Sequence, residues 1–339
     1  MKTFLVTLKP LEPYFFGNEK NFVYPKAKDE TEKANNSQLS NSYFIKSEYM
    51  PSQSTVLGAL RYVLLPVKKS NWDYTEAEKK TNSDTVGKNS FNPNQNNDFG
   101  KIKSVSPVFL YDGVTALIPT PFDHICGNEK YTPFSKYSEV KTPDGTYLCA
   151  EEYNSKNGVT SDYMQLSDGA IISFDSLFTS VTRMGINRRV NEKGLFKKTY
   201  RQLNNKYAFA VYLDLDDDLA PENTVVYLGQ GKSTFALSFE EKENNIENEI
   251  KQYLRDDVVY FFGDAFVFDT VYKNCKFAVT KTKTYRAFQR VRNKVSKDTV
   301  LYNLISAGSV VIPHNKAEFI DFVNNEKVDL IGYNKIVTK

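Results

Sequence analysis

Hydrophobic and polar positions alternate in short runs along most of this chain, and only a few segments change to the longer period of a helix. Phe4-Leu-Val-Thr-Leu8 reads as a strand. From Ser52–Ser54, where a hydroxyl can cap a helix, apolar residues Val56, Leu57, Leu60, Val63 and Leu64 recur at helical spacing. Between them, residues 26–42 are polar and rich in Asn, Ser and Lys, which predicts a mobile loop. Residues 68–104 have the same character around Asn92-Pro-Asn-Gln-Asn-Asn97, so 66–104 reads as an insertion, disordered or ordered only on a partner. Val105–Tyr111 and Val114–Pro119 predict a hairpin turning at Asp112-Gly113. Residues 122–165 are irregular and Tyr-rich. A second hairpin is expected at Val181–Val190 and Leu195–Leu203, turning at Asn191-Glu-Lys-Gly194, followed by a buried strand from Tyr207 to Leu215.

After Asp216-Asp-Asp218 and Pro221 the pattern restarts. Thr224–Leu228 and Thr234–Phe239 alternate like a hairpin, and Ile246, Ile250, Tyr253 and Leu254 return to helical spacing. A strand at Ser309–Ile312, a helix through Phe319, Phe322 and Val323, and a strand at Leu330–Val337 close the chain. Two successive units of this kind predict an α+β fold with two sandwich domains, 1–216 and 217–339, divided at the loop 216–222.

Composition agrees. A chain of 339 residues exceeds the ~250–300 at which a single core stops growing. Cys126, Cys149 and Cys275 are odd in number and scattered, which fits reduced thiols and neither a disulfide framework nor a zinc site. Phe4–Leu8 is too short for a signal-peptide core, and no run approaches the ~18 apolar residues of a membrane span. The expectation is a cytoplasmic protein with no membrane partner.

The net charge of +3 changes meaning when it is divided along the chain. Residues 183–206 hold eight Lys/Arg and one Glu, and residues 273–297 hold nine Lys/Arg and no acid, which leaves the remainder at −13. Such segregation builds local positive potential on an otherwise acidic chain. Interleaved aromatic and β-branched residues favour a nucleic-acid path over two merely solvated strand faces.

Other motifs are weaker. Leu228-Gly-Gln-Gly-Lys-Ser-Thr234 has the ending of a phosphate loop, but Val226 stands where its first glycine belongs and a strand pattern follows. It reads as a glycine turn, either approaching an RNA or protein backbone or simply closing a hairpin. Asp214, Asp216, Asp217 and Asp218 suit a solvated turn better than a metal site. With only His124 and His314, the chain is short of the general bases that a metal-independent ribonuclease commonly uses. No catalytic residue, cofactor or metal is expected.

Several motifs, in order, resemble the third subunit of Cmr complexes, the RNA-guided type III-B CRISPR effectors of the repeat-associated (RAMP) superfamily. Pro10-Leu-Glu-Pro-Tyr-Phe-Phe16 is similar to the family's "p-x-x-p-x-x-F-F" turn, and Pro51-Ser-Gln-Ser-Thr-Val-Leu-Gly-Ala-Leu-Arg61 to "P-x-x-x-T-x-x-G-A-L-R". Gly185-Ile186 with Gly194-Leu195-Phe196 matches a glycine pair before a final strand, with Phe for Tyr. The 228–231 turn is similar to an "L-G-G" turn, interrupted by Gln230. Ser306-Ala-Gly-Ser-Val-Val311 resembles "p-A-G-S-V-y". Leu330-Ile-Gly-Tyr-Asn-Lys-Ile336 stands where the superfamily has a glycine-rich loop, with Asn334 in place of its second glycine.

The resemblance implies two ferredoxin-like (RRM-like) domains with long loop and hairpin insertions. It implies a non-catalytic scaffold that holds the 5′ tag of the guide RNA (crRNA), meets target RNA only indirectly, and docks on the large palm-domain subunit and the first backbone subunit. Alternatives are the equivalent subunit of a type III-A complex, a pre-crRNA endoribonuclease of the same superfamily, and an unrelated RNA-binding protein. The candidate RNA-binding residues are Arg61 in the helix motif and Arg183, Asn187, Arg188, Arg189, Lys197, Lys198 and Arg201 in the basic hairpin. Gly229, Gly231 and Lys232 in the glycine turn, and Lys281, Lys283, Arg286 and Arg290 in the second basic segment, complete the set.

Overall fold

The computed structural model describes residues 1–17, 21–23, 43–69, 73–154, 156, 158–189, 192–229, 231–267, 270–286, 288–291, 294–297 and 300–339; within 21–23, 43, 186–195 and 288–297 only strand backbone is described. Strand β1 (Lys2–Pro10) sets the architecture. Its Phe4, Val6 and Leu8 enter one core while Leu5 enters a second. A strand buried on both faces needs cover on both. β1 pairs antiparallel with β13 (Ala208–Leu215) on one side and β15 (Ser233–Glu241) on the other. The sheet continues through β5 (Phe109–Tyr111), β6 (Ala116–Pro119), β9 (Tyr163–Gln165) and β10 (Ile171–Ile172) at one end, and β14 (Thr224–Leu228) at the other. β4 (Ile102–Val105) pairs with β13 beside this path.

Helix α1 (Gln53–Val63) covers one face. Ser52 caps it, accepting from the Thr55 N–H, and Val56, Leu57 and Leu60 bury against Phe4, Val6 and Leu8. A second sheet covers the other face, in the order β18 (Cys275–Val279), β23 (Val310–Pro313), β16 (Val259–Phe261), β24 (Ile336–Thr338). It sets Tyr260, Val310 and Ile312 against Leu5, Phe109 and Ala210. Taken in chain order, β1, β5, β13 and β15 are arranged two-three-one-four, and so are β16, β18, β23 and β24. Each set keeps one long crossover helix: α1 after the first strand of one, α5 (Lys316–Val323) after the third strand of the other.

The smaller elements flank this sandwich. A four-stranded sheet holds β11 (Phe178–Arg189), β12 (Glu192–Leu203), β3 (Tyr43–Lys46) and β2 (Asn21–Val23). A three-stranded one holds β17 (Ala265–Phe266), β22 (Tyr302–Ile305) and β19 (Thr282–Tyr285). Two hairpins, β7 (Tyr137–Thr142) with β8 (Gly145–Ala150) and β20 (Phe288–Val291) with β21 (Lys294–Lys297), complete the strands. The other helices are α2 (Glu76–Val86), α3 (Phe174–Leu177), α4 (Ile246–Lys251) and α6 (Glu326–Asp329). Among the described residues no helix is long and apolar enough to cross a membrane.

Five expectations need correction. Residues 73–104 are not an unstructured insertion: α2 opens with a capping box between Thr75 and Glu78, and Phe91 and Phe99 are buried in the main core. A few anchors order this polar segment, and composition averages them away. The hairpin β14–β15 belongs to the first sheet, so the chain leaves that sheet after Glu241 rather than at 216–222. Both expected turns sit differently. The first ladder closes at Tyr111 and Ala116, and Asp112 Oδ1 caps the loop by accepting from the Val114 and Thr115 N–H groups, each at 2.8 Å. In the second, Arg189 faces Glu192, so Gly194 lies within the ladder opposite Asn187.

Finally, residues 330–335 form a buried turn, and only Ile336–Thr338 is strand. Asn334 adopts φ 56°, a left-handed conformation that Asn tolerates. Its side chain donates to Val323 O (2.7 Å) and Phe266 O (3.0 Å) and accepts from Phe266 N (2.7 Å). A Cβ on Gly332, φ 87°, would stand 2.0 Å from Gln53 Nε2. Gln53, at the start of α1, donates to Ser106 O (2.8 Å) and Ile331 O (2.6 Å) and accepts from Val108 N (3.1 Å). This turn is therefore packed against the first sheet, and its glycine faces protein.

Candidate nucleic-acid interface

The basic hairpin β11–β12 forms a finger of two twelve-residue strands. Side chains alternate between its faces. The pairs Val181/Tyr200, Arg183/Lys198 and Gly185/Phe196 share one face, while Thr182/Thr199 and Met184/Lys197 share the other. On the first face the cations lie over rings. Arg183 Cζ is 4.7 Å from the Tyr200 centroid, and Lys198 Nζ is 4.9 Å from Tyr200 and 4.0 Å from Phe15. Phe15 comes from the aromatic turn after β1, and its ring meets Tyr200 edge-on at 5.7 Å. A ring holds a cation through its quadrupole without neutralising it, so the charge stays available to a phosphate. At Gly185 a Cβ would stand 2.3 Å from the Phe196 ring lying across it, so any side chain there would displace that ring.

The glycine turn joins the same cluster. Gly229 has φ 75°, and a Cβ there would be 2.2 Å from Phe15 O, so the close approach is to protein backbone. Gly231 lies beside the Tyr200 ring, and Lys232 is exposed at φ 50°. Thr234 donates to Glu12 Oε1 through its N–H and its hydroxyl, both at 2.8 Å. These bonds, and then the charge of Arg183, hold the Glu12 carboxyl below its ordinary range. The structure thus brings Arg183, Lys198, Gly229, Gly231 and Lys232 together, with Lys197 exposed on the opposite face.

Other candidates are placed elsewhere. Arg201 is only 7% exposed; it lies 3.8 Å over Tyr49, donates to Ser47 O (3.1 Å) and bonds to the Ser180 hydroxyl. Arg61 donates to the carbonyls of Val86 (2.7 Å), Gly87 (2.8 Å) and Asn89 (2.8 Å), which fastens the end of α2, and its burial lowers its pKa. Both arginines serve the fold. Lys283 is paired with Asp264, Lys281 is exposed just before β19, and Arg286 is half-buried just after it. That group stands on a different sheet from the finger. The side chains of Asn187, Arg188, Arg189 and Arg290 lie outside the described residues.

The histidines do not meet. His124 is buried; its Nδ1 accepts from the Thr132 N–H at 3.1 Å, and burial lowers its pKa. His314 is exposed beside Tyr147, with ring centroids 5.8 Å apart. Among the acidic run, Asp214 accepts from Thr3, and Asp216, Asp217 and Asp218 pair with Lys103, the N-terminal amine and Lys101. Among the described residues no group of three or more ligating side chains could hold a metal ion.

Sequence reasoning missed Phe15 as the ring beneath Lys198 and Gln53 as the clamp between the two sheets. Both lie inside the quoted motifs, but their contacts run to segments more than 50 residues away.

No protein-family model and no curated protein matches the chain. Solved structures do. A chain in the cryo-EM structure of the Type III-B Cmr-beta bound to cognate target RNA matches with TM-score 0.52 and 14% identity, covering 99% of this chain and 96% of that one. A chain of the same assembly with target RNA and AMPPnP matches with TM-score 0.51 and 15% identity, covering 98% and 95%. A chain in the Csm3–Csm4 subcomplex of a type III-A CRISPR-Cas interference complex matches with TM-score 0.40 and 12% identity, covering 96% and 94%. Over nearly its whole length, this chain shares the fold of a chain of the Type III-B Cmr-beta, the class of assembly that its sequence motifs resemble.

Proposed function

We propose that this chain is a non-catalytic, guide-RNA-binding subunit of a type III CRISPR effector complex, type III-B in preference to III-A. In this reading the two sheets ordered two-three-one-four are two ferredoxin-like domains, each keeping one of the two helices of the β-α-β-β-α-β unit. The finger and the glycine turn hold the 5′ tag of the guide RNA. Protein partners are the large palm-domain subunit and the first backbone subunit, and target RNA is met through the guide. One observation carries the reading: the cation–aromatic cluster of Arg183, Lys198, Tyr200 and Phe15 lies on the shaft of the finger, in a chain with the fold of a Cmr-beta chain. Such a surface neutralises phosphates and offers rings to unstacked bases.

An endoribonuclease of the same superfamily would need an accessible general base. The burial of His124, and the placement of exposed His314 beside Tyr147 rather than beside a second histidine, favour the scaffold. The test is to express the chain with the genes that flank it and sequence the RNA that co-purifies. Guide RNA with a common 5′ repeat tag, bound more weakly as salt rises, is the expected result. Equal affinity for tagless RNA, or cleavage of repeat RNA by the purified chain, contradicts it.

A further inference from the structure

The edges of the sheets are guarded unequally. β10 and β17 are two residues long and β24 is three. β7 carries Glu139 and Lys141, β11 carries Arg183, and β18 carries Lys276 and is packed against β8. β14 differs. It is the terminal strand of the nine-stranded sheet, and its sequence Thr-Val-Val-Tyr-Leu has no charge, proline or glycine. Val226 and Leu228 point into the core, while Val225 and Tyr227 are 53% and 69% exposed. Among the described residues its backbone pairs with β15 alone. Uncharged, unblocked edges of this kind are templates for another strand, and proteins that must stay unpaired block them.

The exposed face extends inward from that edge. Val225 stands opposite Ala236, which stands opposite Lys9; Tyr227 stands opposite Thr234, whose carbonyl accepts from the Leu11 N–H at 2.9 Å. Leu11 is 57% exposed, and Lys9 is exposed at the end of its row with no acidic partner among the described residues. Glu12, held by Thr234, already places a negative charge beside the Tyr227 row, so the unsatisfied charge of this edge is Lys9 at the end of the Val225 row, and that pattern narrows the occupant. We propose that β14 receives an extended segment of a protein partner as a further strand of the sheet, apolar at alternate positions and with an acidic side chain in reach of Lys9. Main-chain hydrogen bonds would supply affinity, and Val225, Tyr227 and Lys9 would supply specificity. The inference rests on the proposed function only in taking that partner to be another subunit of the same complex.

Hydrogen exchange on the free chain and on the complex purified with the products of its flanking genes tests the idea. The amides of residues 225–228 that point away from β15 should exchange at least about tenfold more slowly in the complex. Val225→Lys with Tyr227→Lys should lose one protein subunit while retaining RNA and melting temperature, because both side chains are exposed. Equal exchange in the two states, or normal subunit composition in the double variant, overturns the proposal. So does a symmetric dimer of the free chain that the double variant dissolves, which would assign the edge to a second copy. A complex that contains guide RNA while β14 exchanges freely overturns this inference alone; a chain that purifies without RNA or partners overturns the proposed function as well.

Discussion

Arg183 and Arg201 belong to the same hairpin and make the same kind of contact, a guanidinium over a tyrosine ring, at 4.7 Å and 3.8 Å. Their surroundings separate them. Arg201, at the root, is enclosed by Ser47, Tyr49 and Ser180, and its donors are used inside the protein. Arg183, further along the finger, is exposed beside Lys198, with the Glu12 carboxylate within reach of its charge. Residue type and local spacing are shared, so burial decides which cation holds the fold and which is free for a ligand.

The largest expected effect breaks the root. Arg201→Ala leaves Ser47 O without its guanidinium donor in a buried site and should cost about 2–4 kcal/mol in urea unfolding. RNA binding should survive wherever the protein remains folded. A variant as stable as the parent would erase the distinction between root and shaft.

A buried group with incomplete partners sharpens the same contrast. Asp123 accepts from Tyr131 Oη at 2.8 Å through Oδ1, but its buried Oδ2 has no partner among the described residues. Burial, opposed by the Tyr131 bond, pushes its pKa up to about 6. The folded state therefore binds this proton more tightly than the unfolded chain, whose carboxyl titrates near about 4. The stabilisation is complete below that value and falls away as pH rises through about 6, by about 2–3 kcal/mol. Asp123→Asn should flatten this part of the pH dependence when unfolding is followed between pH 4 and 7.5; an unchanged slope would show that the carboxyl is not the source.

Arg61 gives a smaller, local effect. Arg61→Ala removes the donor to three carbonyls and should open residues 76–100 to hydrogen exchange, at a cost of about 1–2 kcal/mol. Uniform loss of protection across the whole chain would refute this local role. The smallest effect has the opposite sign. Gly58 is exposed within α1, and a Cβ there would meet nothing within 4 Å. Gly58→Ala should therefore stabilise the isolated chain by up to about 1 kcal/mol; a lower melting temperature would show that the site is not open.

The sequence made some of this legible. β1, the Ser52 cap of α1, the buried strand β13 and the existence of the finger all follow from local periodicity, which backbone geometry converts directly into a buried face. What it hid was non-local. The assignment of β15 to the first sheet depends on pairings such as Val6 with Phe239, and the role of Arg201 depends on Ser47 and Tyr49 in a different segment. The order of residues 73–104 rests on Arg61, Val86, Phe91, Phe99 and Ile102, too few anchors to alter a polar composition. The basic hairpin was visible as a charged pair of strands, but the rings beneath its cations emerge only with the register and the Phe15 turn.

The central claim is that the cations on the shaft of the finger, exposed Arg183 and half-buried Lys198, hold guide RNA. The most direct test is the amount of guide RNA that co-purifies per complex carrying Arg183→Glu and Lys198→Glu, measured beside the melting temperature of the same protein. The account predicts that RNA occupancy collapses, that residual binding loses about one to two units of salt slope, and that the melting temperature is unchanged. Normal RNA occupancy in a folded double variant would contradict it.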